Sequence, residues 1–339
     1  MGNSASELVL SRMIRDYLDW SNVQENTKDR GREAINHLMA FCGDIPAAEV
    51  RKMHVVRFQT YLRERVHRSG NGWKAARPGL ALSTVNSICS AASQVFTWFV
   101  KQELLEANPF IGAGRLKVPR RQIRYYKQEA IEALLDAASR TAFKDPTANL
   151  RWTTAILCGL HGMRAGEIQN LRWDDIDLDN GTIKVAYRDE KPGHFWAWHD
   201  KGKDERTIGV SQTLLECLYR LEIVCTWRYP ILKRCTCVRL QSRIGHLSEK
   251  QRKRPYQNWR REWRRIKAVA KIEGPGTFHD LRKTAGTHLN RQGVPLATAQ
   301  QILGHKNLQT TRDIYTAVER EHCVAVGRKA FNAYTSSQG

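Results

Sequence analysis

Apolar residues in the first hundred positions recur at helical spacing. Leu8, Ile14 and Leu18 fall on one side of a first predicted helix within residues 7 to 41. Ala34, Ile35, Leu38 and Phe41 fall on one side of a second, which Thr27 is placed to cap. Gly43-Asp44-Ile45-Pro46 breaks the pattern. A third helix is predicted from Met53 to Val66, with Val55, Phe58, Leu62 and Val66 inward and Arg57, Arg63, Arg65 and Arg68 on the other side. Ser69-Gly70-Asn71-Gly72 and Arg77-Pro78-Gly79 read as a basic loop. A long amphipathic helix then starts at Ser83 and runs through Val85, Ile88, Ala92, Val95, Phe96 and Phe99. These segments predict a bundle of four or five helices, which Asn108-Pro109 closes.

From Gly112 to Lys127 no apolar period is visible, and six basic residues appear: Arg115, Lys117, Arg120, Arg121, Arg124 and Lys127. This is the expected interdomain linker, either a strap along a phosphate backbone or a solvated tether. Helical spacing resumes around Glu129 to Ser139 and again from Ala148 to Leu160. Residues Thr182 to Tyr187 and Arg206 to Val210 alternate as strands do, and His194 to His199 is a third candidate, so a small antiparallel sheet is expected. Between Lys250 and Lys271, Trp259, Trp263 and Ile266 share one helix face while arginines take the others. The fold class is therefore mainly α with a small antiparallel β-sheet (α+β). The divisions expected are a helical DNA-binding domain over 1–111, the linker over 112–127, a second domain over 128–320 and a tail over 321–339.

Charge narrows the choice of partner. The 339 residues carry Lys+Arg 55 against Asp+Glu 34, a formal net charge of +21. Such an excess favours a polyanion, with nucleic acid first among candidates. No apolar run approaches the ~20 residues of a membrane span, so no membrane association is expected. The eight cysteines are scattered. Cys42, Cys89, Cys158 and Cys217 sit in apolar or helical contexts and read as buried free thiols of a reducing, cytoplasmic compartment. Cys225, Cys235, Cys237 and His246 match no standard zinc spacing.

The candidate chemistry lies in two stretches. One reads Leu160-His161-Gly162-Met163-Arg164-Ala165-Gly166-Glu167-Ile168. The other runs from Thr277-Phe278-His279-Asp280-Leu281-Arg282 through Leu303-Gly304-His305 to Asp313-Ile314-Tyr315. His279 and Arg282 are three apart and share a helix side, and Gly304 has the look of a helix stop. Guanidinium groups grip phosphate oxygens, imidazoles carry protons near neutral pH, and a phenol attacks phosphorus. The set suits a phosphodiester. No Asp/Glu cluster stands beside it, so neither a metal nor another cofactor is expected.

This pattern resembles the tyrosine recombinases, or phage-type integrases, over roughly residues 125 to 320. The family pattern is an arginine in G-x-R-x-x-E, a lysine on a β-hairpin, then HxxR, LGH and a terminal tyrosine, and all are present in order. The resemblance implies a site-specific recombinase that cuts and rejoins double-stranded DNA through a 3′-phosphotyrosine. It implies Arg164 and Arg282 on the phosphate, His305 as a further donor, Tyr315 as nucleophile and His279 as acceptor of its proton. Lys201 is implied as the acid for the leaving 5′-oxygen by the register of K-G-x-x-E-R, with Lys203 an alternative. Glu167 is expected to orient Arg164. Arg115, Lys117, Arg120, Arg121 and Arg124 are expected DNA contacts.

Two other readings stay open: a type IB topoisomerase-like enzyme, and a catalytically inactive DNA-binding accessory factor. The tail carries Val324, Phe331 and Tyr334 along one side if helical. By the resemblance it docks on a neighbouring subunit, giving a homo-oligomer of four protomers on two DNA sites; a tail folded back on its own core is the alternative. Accessory proteins and the target sequence are not written in the chain.

Overall fold

The computed structural model describes residues 8–64, 66–67, 77–119, 123–143, 147–186, 205–224, 259–274, 276–304 and 312. The chain divides into two compact units, Met1–Arg121 and Gln122–Gly339. It is mainly helical with small antiparallel sheets.

In the first unit four helices, α1 (Leu10–Trp20), α2 (Glu25–Cys42), α3 (Lys52–Glu64) and α4 (Leu82–Lys101), surround one core. Leu10, Met13, Ile14 and Tyr17 line the buried stripe of α1, while Leu8 and Leu18 only flank the core. The expected stripe is thus rotated by about one residue. Helix α2 starts at Glu25, so Thr27 sits inside the first turn and does not cap it. An acid there suits the positive helix end. Val66 was expected inside α3 but pairs with Pro78 in a two-residue hairpin, β1 (Val66–His67) with β2 (Arg77–Pro78). A β-branched residue fits that pleated pairing better than a last helical turn. Cys89 is buried, whereas Cys42, expected to be buried too, is only partly covered and donates to the Leu38 carbonyl at 3.2 Å.

The stretch expected as an extended linker is held down at both ends. Asn86 bonds the backbone of Leu116 twice, Nδ2 donating to its carbonyl at 2.9 Å and Oδ1 accepting its N–H at 3.0 Å. Gln59 Nε2 donates to the Gly114 carbonyl at 3.0 Å. At the other end Tyr126 is buried in the core of the second unit, its N–H donating to Thr284 Oγ1 at 2.9 Å.

The second unit contains α5 (Gln128–Arg140), α6 (Ala148–Leu160), α7 (Ala165–Gln169), α8 (Gln212–Val224), α9 (Trp259–Val269), α10 (His279–Arg291) and α11 (Leu296–Leu303). Its sheet has the order β3-β4-β5, with β3 (Ile176–Asp177), β4 (Thr182–Val185) and β5 (Arg206–Gly209) all antiparallel. The expected strand over 194–199 lies outside the described residues. Ile176–Asp177, too short to show alternation, is the third described strand of this sheet. Trp259, Trp263 and Ile266 are buried from α9 as their spacing predicts. Trp152, Trp259 and Trp263 close around Phe278, whose ring lies 4.7 Å from that of Trp259 and 5.2 Å from that of Trp263. Phe278 immediately precedes His279, so this aromatic cluster fixes the start of α10.

Candidate active site

Helix α6 ends in a tight turn through Gly162, whose φ is +84°. That backbone conformation favours glycine, and a Cβ there would stand 2.7 Å from Leu303 Cδ2 and push that side chain aside at the end of α11. The turn delivers Arg164 in extended backbone to the start of α7. One turn on, Glu167 is 3 % exposed and looks back at it. Its Oε2 accepts the Arg164 N–H at 2.8 Å and its Oε1 accepts from Arg164 Nη1 at 2.7 Å. The expectation that Glu167 orients Arg164 matches this geometry.

Helix α11 stops at Gly304, which is left-handed with φ 59° and ψ 54°. A helix end leaves its last carbonyls without helical partners. Here three arginines from three other elements supply the donors. Arg206 Nε donates to Ile302 O at 3.1 Å, and Arg164 Nη2 donates to Gly304 O at 2.7 Å. Arg282, on α10, donates to Leu303 O and also to Gly162 O. Cationic donors suit the negative end of the helix dipole, so the same contacts gather positive charge at one point.

Arg282 is 1 % exposed, so its charge lies beneath the surface of the site. His279, at the first position of α10, reaches solvent. Desolvation by its neighbours, then Arg282, Lys283 and Arg164, hold its pKa below the ordinary value of 6.5, and Asp280 opposes them weakly. The neutral imidazole, a proton acceptor, is therefore favoured at neutral pH. Lys283 pairs with Asp280 at 2.6 Å.

The structure thus brings Arg164, His279 and Arg282 together. Lys201, Lys203, His305 and Tyr315 lie outside the described residues, although Gly304 leads directly into His305. Arg115, Lys117 and Arg124 are exposed, and Arg120 and Arg121 lie outside the described residues. Arg206 was not expected in the site. It opens β5 and reaches the same carboxylate, Nη1 to Glu167 Oε1 at 3.0 Å and Nη2 to Oε2 at 2.6 Å. Nothing in the local sequence marks it, because Glu167 and Ile302 are 39 and 96 positions away.

The profile of the phage integrase family matches residues 124–322. The chain belongs to the phage integrase family. Among curated relatives, this integrase-family chain is 26 % identical to the tyrosine recombinase XerC of Thermodesulfovibrio yellowstonii, over 74 % of the chain and 77 % of the relative. The XerC of Xylella fastidiosa is 25 % identical over 92 % of the chain and 94 % of its own length. Among solved structures, the Tn1549 transposon integrase in complex with circular-intermediate DNA superposes with a TM-score of 0.67 at 16 % identity, covering 95 % of this chain and 99 % of that one. A lambda integrase dimer bound to a core site gives 0.63 at 16 % identity, covering 92 % and 97 %. At such identities the superpositions speak for the fold alone.

Proposed function

We propose that this integrase-family chain cuts and rejoins DNA at specific sites through a covalent 3′-phosphotyrosine, with Tyr315 as the nucleophile. The observation that carries the reading is the convergence of Arg164 and Arg282 on the end of α11, at the residue before His305, with a neutral His279 under the influence of both arginines. Developing charge on a phosphorane needs fixed cations, and preorganised donors are the largest single contribution to such catalysis. Arg164 and Arg282 provide that charge, His305 adds a donor, and His279 takes the tyrosine proton. Lys201, or Lys203 beside it, protonates the leaving 5′-oxygen. The phosphotyrosine conserves the energy of the broken bond, so resealing uses no ATP.

Double-stranded DNA is the partner, and the working assembly is four protomers on two sites, tied by the tail. The strongly basic composition supports the polyanionic partner. A solved lambda integrase is a tetramer bound to a Holliday junction, superposing on this chain with a TM-score of 0.60 at 15 % identity.

A nicked DNA substrate, which traps the covalent adduct by losing the nucleophilic 5′-end, tests the chemistry. Wild-type protein forms the adduct with or without EDTA, while Tyr315→Phe binds the DNA and forms none. Adduct formation by the phenylalanine variant refutes the nucleophile. Plasmid relaxation without exchange between two sites refutes the recombinase and points to a type IB topoisomerase.

A further inference from the structure

Arg206 stands apart from the residues whose pattern suggested the chemistry. Its side chain is 8 % exposed, and its guanidinium spans two structures. Both terminal nitrogens grip Glu167, and Nε holds the Ile302 carbonyl at 3.1 Å. Glu167 passes the connection on, because the same two oxygens hold the backbone and guanidinium of Arg164. Arg164 then closes the circuit on Gly304, two residues beyond Ile302. The loop of contacts runs from the helix end to Arg206, to Glu167, to Arg164 and back to the helix end. A Cβ on Gly304 would lie 2.9 Å from Arg206 Nη1, so the guanidinium packs directly over that left-handed turn.

We propose that Arg206 is a positioning residue for strand cleavage: it holds the Arg164 guanidinium and the Gly304–His305 turn in one register. The proposal rests on the assignment of Arg164 and Tyr315 to the cleavage chemistry. The physical reason is the charge balance of Glu167. Among the described residues, Arg164 and Arg206 are the charged groups that face this buried carboxylate. With both present, Arg206 shares the neutralisation of Glu167, so Arg164 is not the carboxylate's sole counter-charge. Without Arg206, the carboxylate has one cation left. It then either relies on Arg164 alone for neutralisation or takes up a proton, because burial disfavours a carboxylate with less counter-charge. The Ile302 carbonyl loses its donor in the same change, and the turn before His305 loses one of its three fixings. Lysine does not substitute, since an ammonium is a single centre and cannot match the planar three-point contact.

The test uses full-length wild type, Arg206→Lys, Arg206→Gln and Glu167→Gln, with single-turnover cleavage of the nicked substrate followed across pH. Thermal melting and DNA affinity are measured beside it. Arg206→Lys and Arg206→Gln are expected to bind DNA as wild type does and to cleave about 10²-fold more slowly, the loss typical of an ångström of misplacement. In Arg206→Gln the acid limb of the rate profile moves to higher pH, because Glu167 has lost a cation. In Glu167→Gln only the limb set by His279 remains. A role confined to folding lowers the melting temperature without moving the limb. Wild-type rates and a wild-type acid limb in both Arg206 variants overturn the proposal. Should Arg206→Gln fail to fold, the rate and pH profile of Arg206→Lys decide alone. Absence of any adduct with wild-type protein refutes the assignment of function instead, so the two failures are distinguishable.

Discussion

Gly304 is the residue on which the helix end depends twice. Its φ of 59° costs an ordinary L-residue roughly 1–2 kcal/mol, and a Cβ there meets the Arg206 side chain at 2.9–3.2 Å. Gly304→Ala should therefore lower the melting temperature and slow cleavage together; unchanged melting and an unchanged single-turnover rate would mean the turn tolerates a displaced Arg206. His161 offers a second prediction. Its Nε2 accepts the Ser211 N–H at 2.9 Å, and its Nδ1 lies 2.7 Å from the Leu157 carbonyl. Only the neutral Nδ1–H tautomer satisfies both. Burial pushes its pKa below 6.5 and outweighs the carbonyl bond that raises it. A histidine with a lowered folded pKa contributes stability that is complete above the unfolded value, near 6.5, and is lost as pH falls from there through the folded value. NMR titration should thus find His161 below 6.5 in the Nδ1–H form; a titration at or above that value would refute the assignment. Arg164, Arg282 and Glu167 were legible at this scale because their spacing was distinctive. Arg206 was not, since its role arises from contacts with residues 39 and 96 positions away.

Helices were the elements easiest to read. Ala148–Leu160 has the expected extent although burial wraps most of its surface, and in Trp259–Val269 the expected Trp259, Trp263 and Ile266 are buried together, because one buried face at 3.6-residue spacing leaves little freedom. The strand Ile176–Asp177 and the pair Val66–His67 with Arg77–Pro78 were not legible, because two residues carry no period and form through long-range pairing. Helix α9 shows what an element's two sides are asked to do. Its tryptophans hold Phe278, and Trp152 Nε1 donates to Glu262 on the same helix at 2.8 Å. Trp263→Ala should cost about 3–5 kcal/mol in chemical denaturation, as for other large-to-small aromatic changes in a core. It should also slow cleavage through the slackened start of α10. A loss under ~1 kcal/mol would show the cluster to be dispensable. The opposite face is not uniformly turned to solvent: Arg265 donates to the Ala142 carbonyl, and its guanidinium lies 5.4 Å from the centre of the Phe143 ring. Arg260, Arg261 and Arg264 are exposed, and so is Arg265 despite these contacts.

For the whole molecule, the question is what the basic segment between the two units does. A sequence with no apolar period cannot say whether it is strapped down, because its fixings come from Gln59, Asn86 and Thr284, far away in the chain. Those bonds divide the segment. Arg115 and Lys117 are held on the first unit by the Asn86–Leu116 pair, and Arg124 is held near the second by Tyr126. Exposed charges on anchored backbone meet a phosphate with less entropy to lose than charges on a free tether. Each phosphate so neutralised contributes a slope of about −0.9 in log K against log salt. Replacing Arg115, Lys117 and Arg124 by glutamine should accordingly flatten the salt dependence of DNA binding by roughly that amount for every phosphate left without its cation. Asn86→Ala gives the sharper discrimination, because it removes no charge. For an anchored strap, the alanine variant binds more weakly at every salt concentration while the slope is retained, since the same phosphates are met by a looser chain. For a mere tether, the glutamine variant keeps the wild-type slope and Asn86→Ala leaves binding untouched. Fluorescence anisotropy over a salt series separates the two, and wild-type values in both variants would remove this segment from the DNA interface.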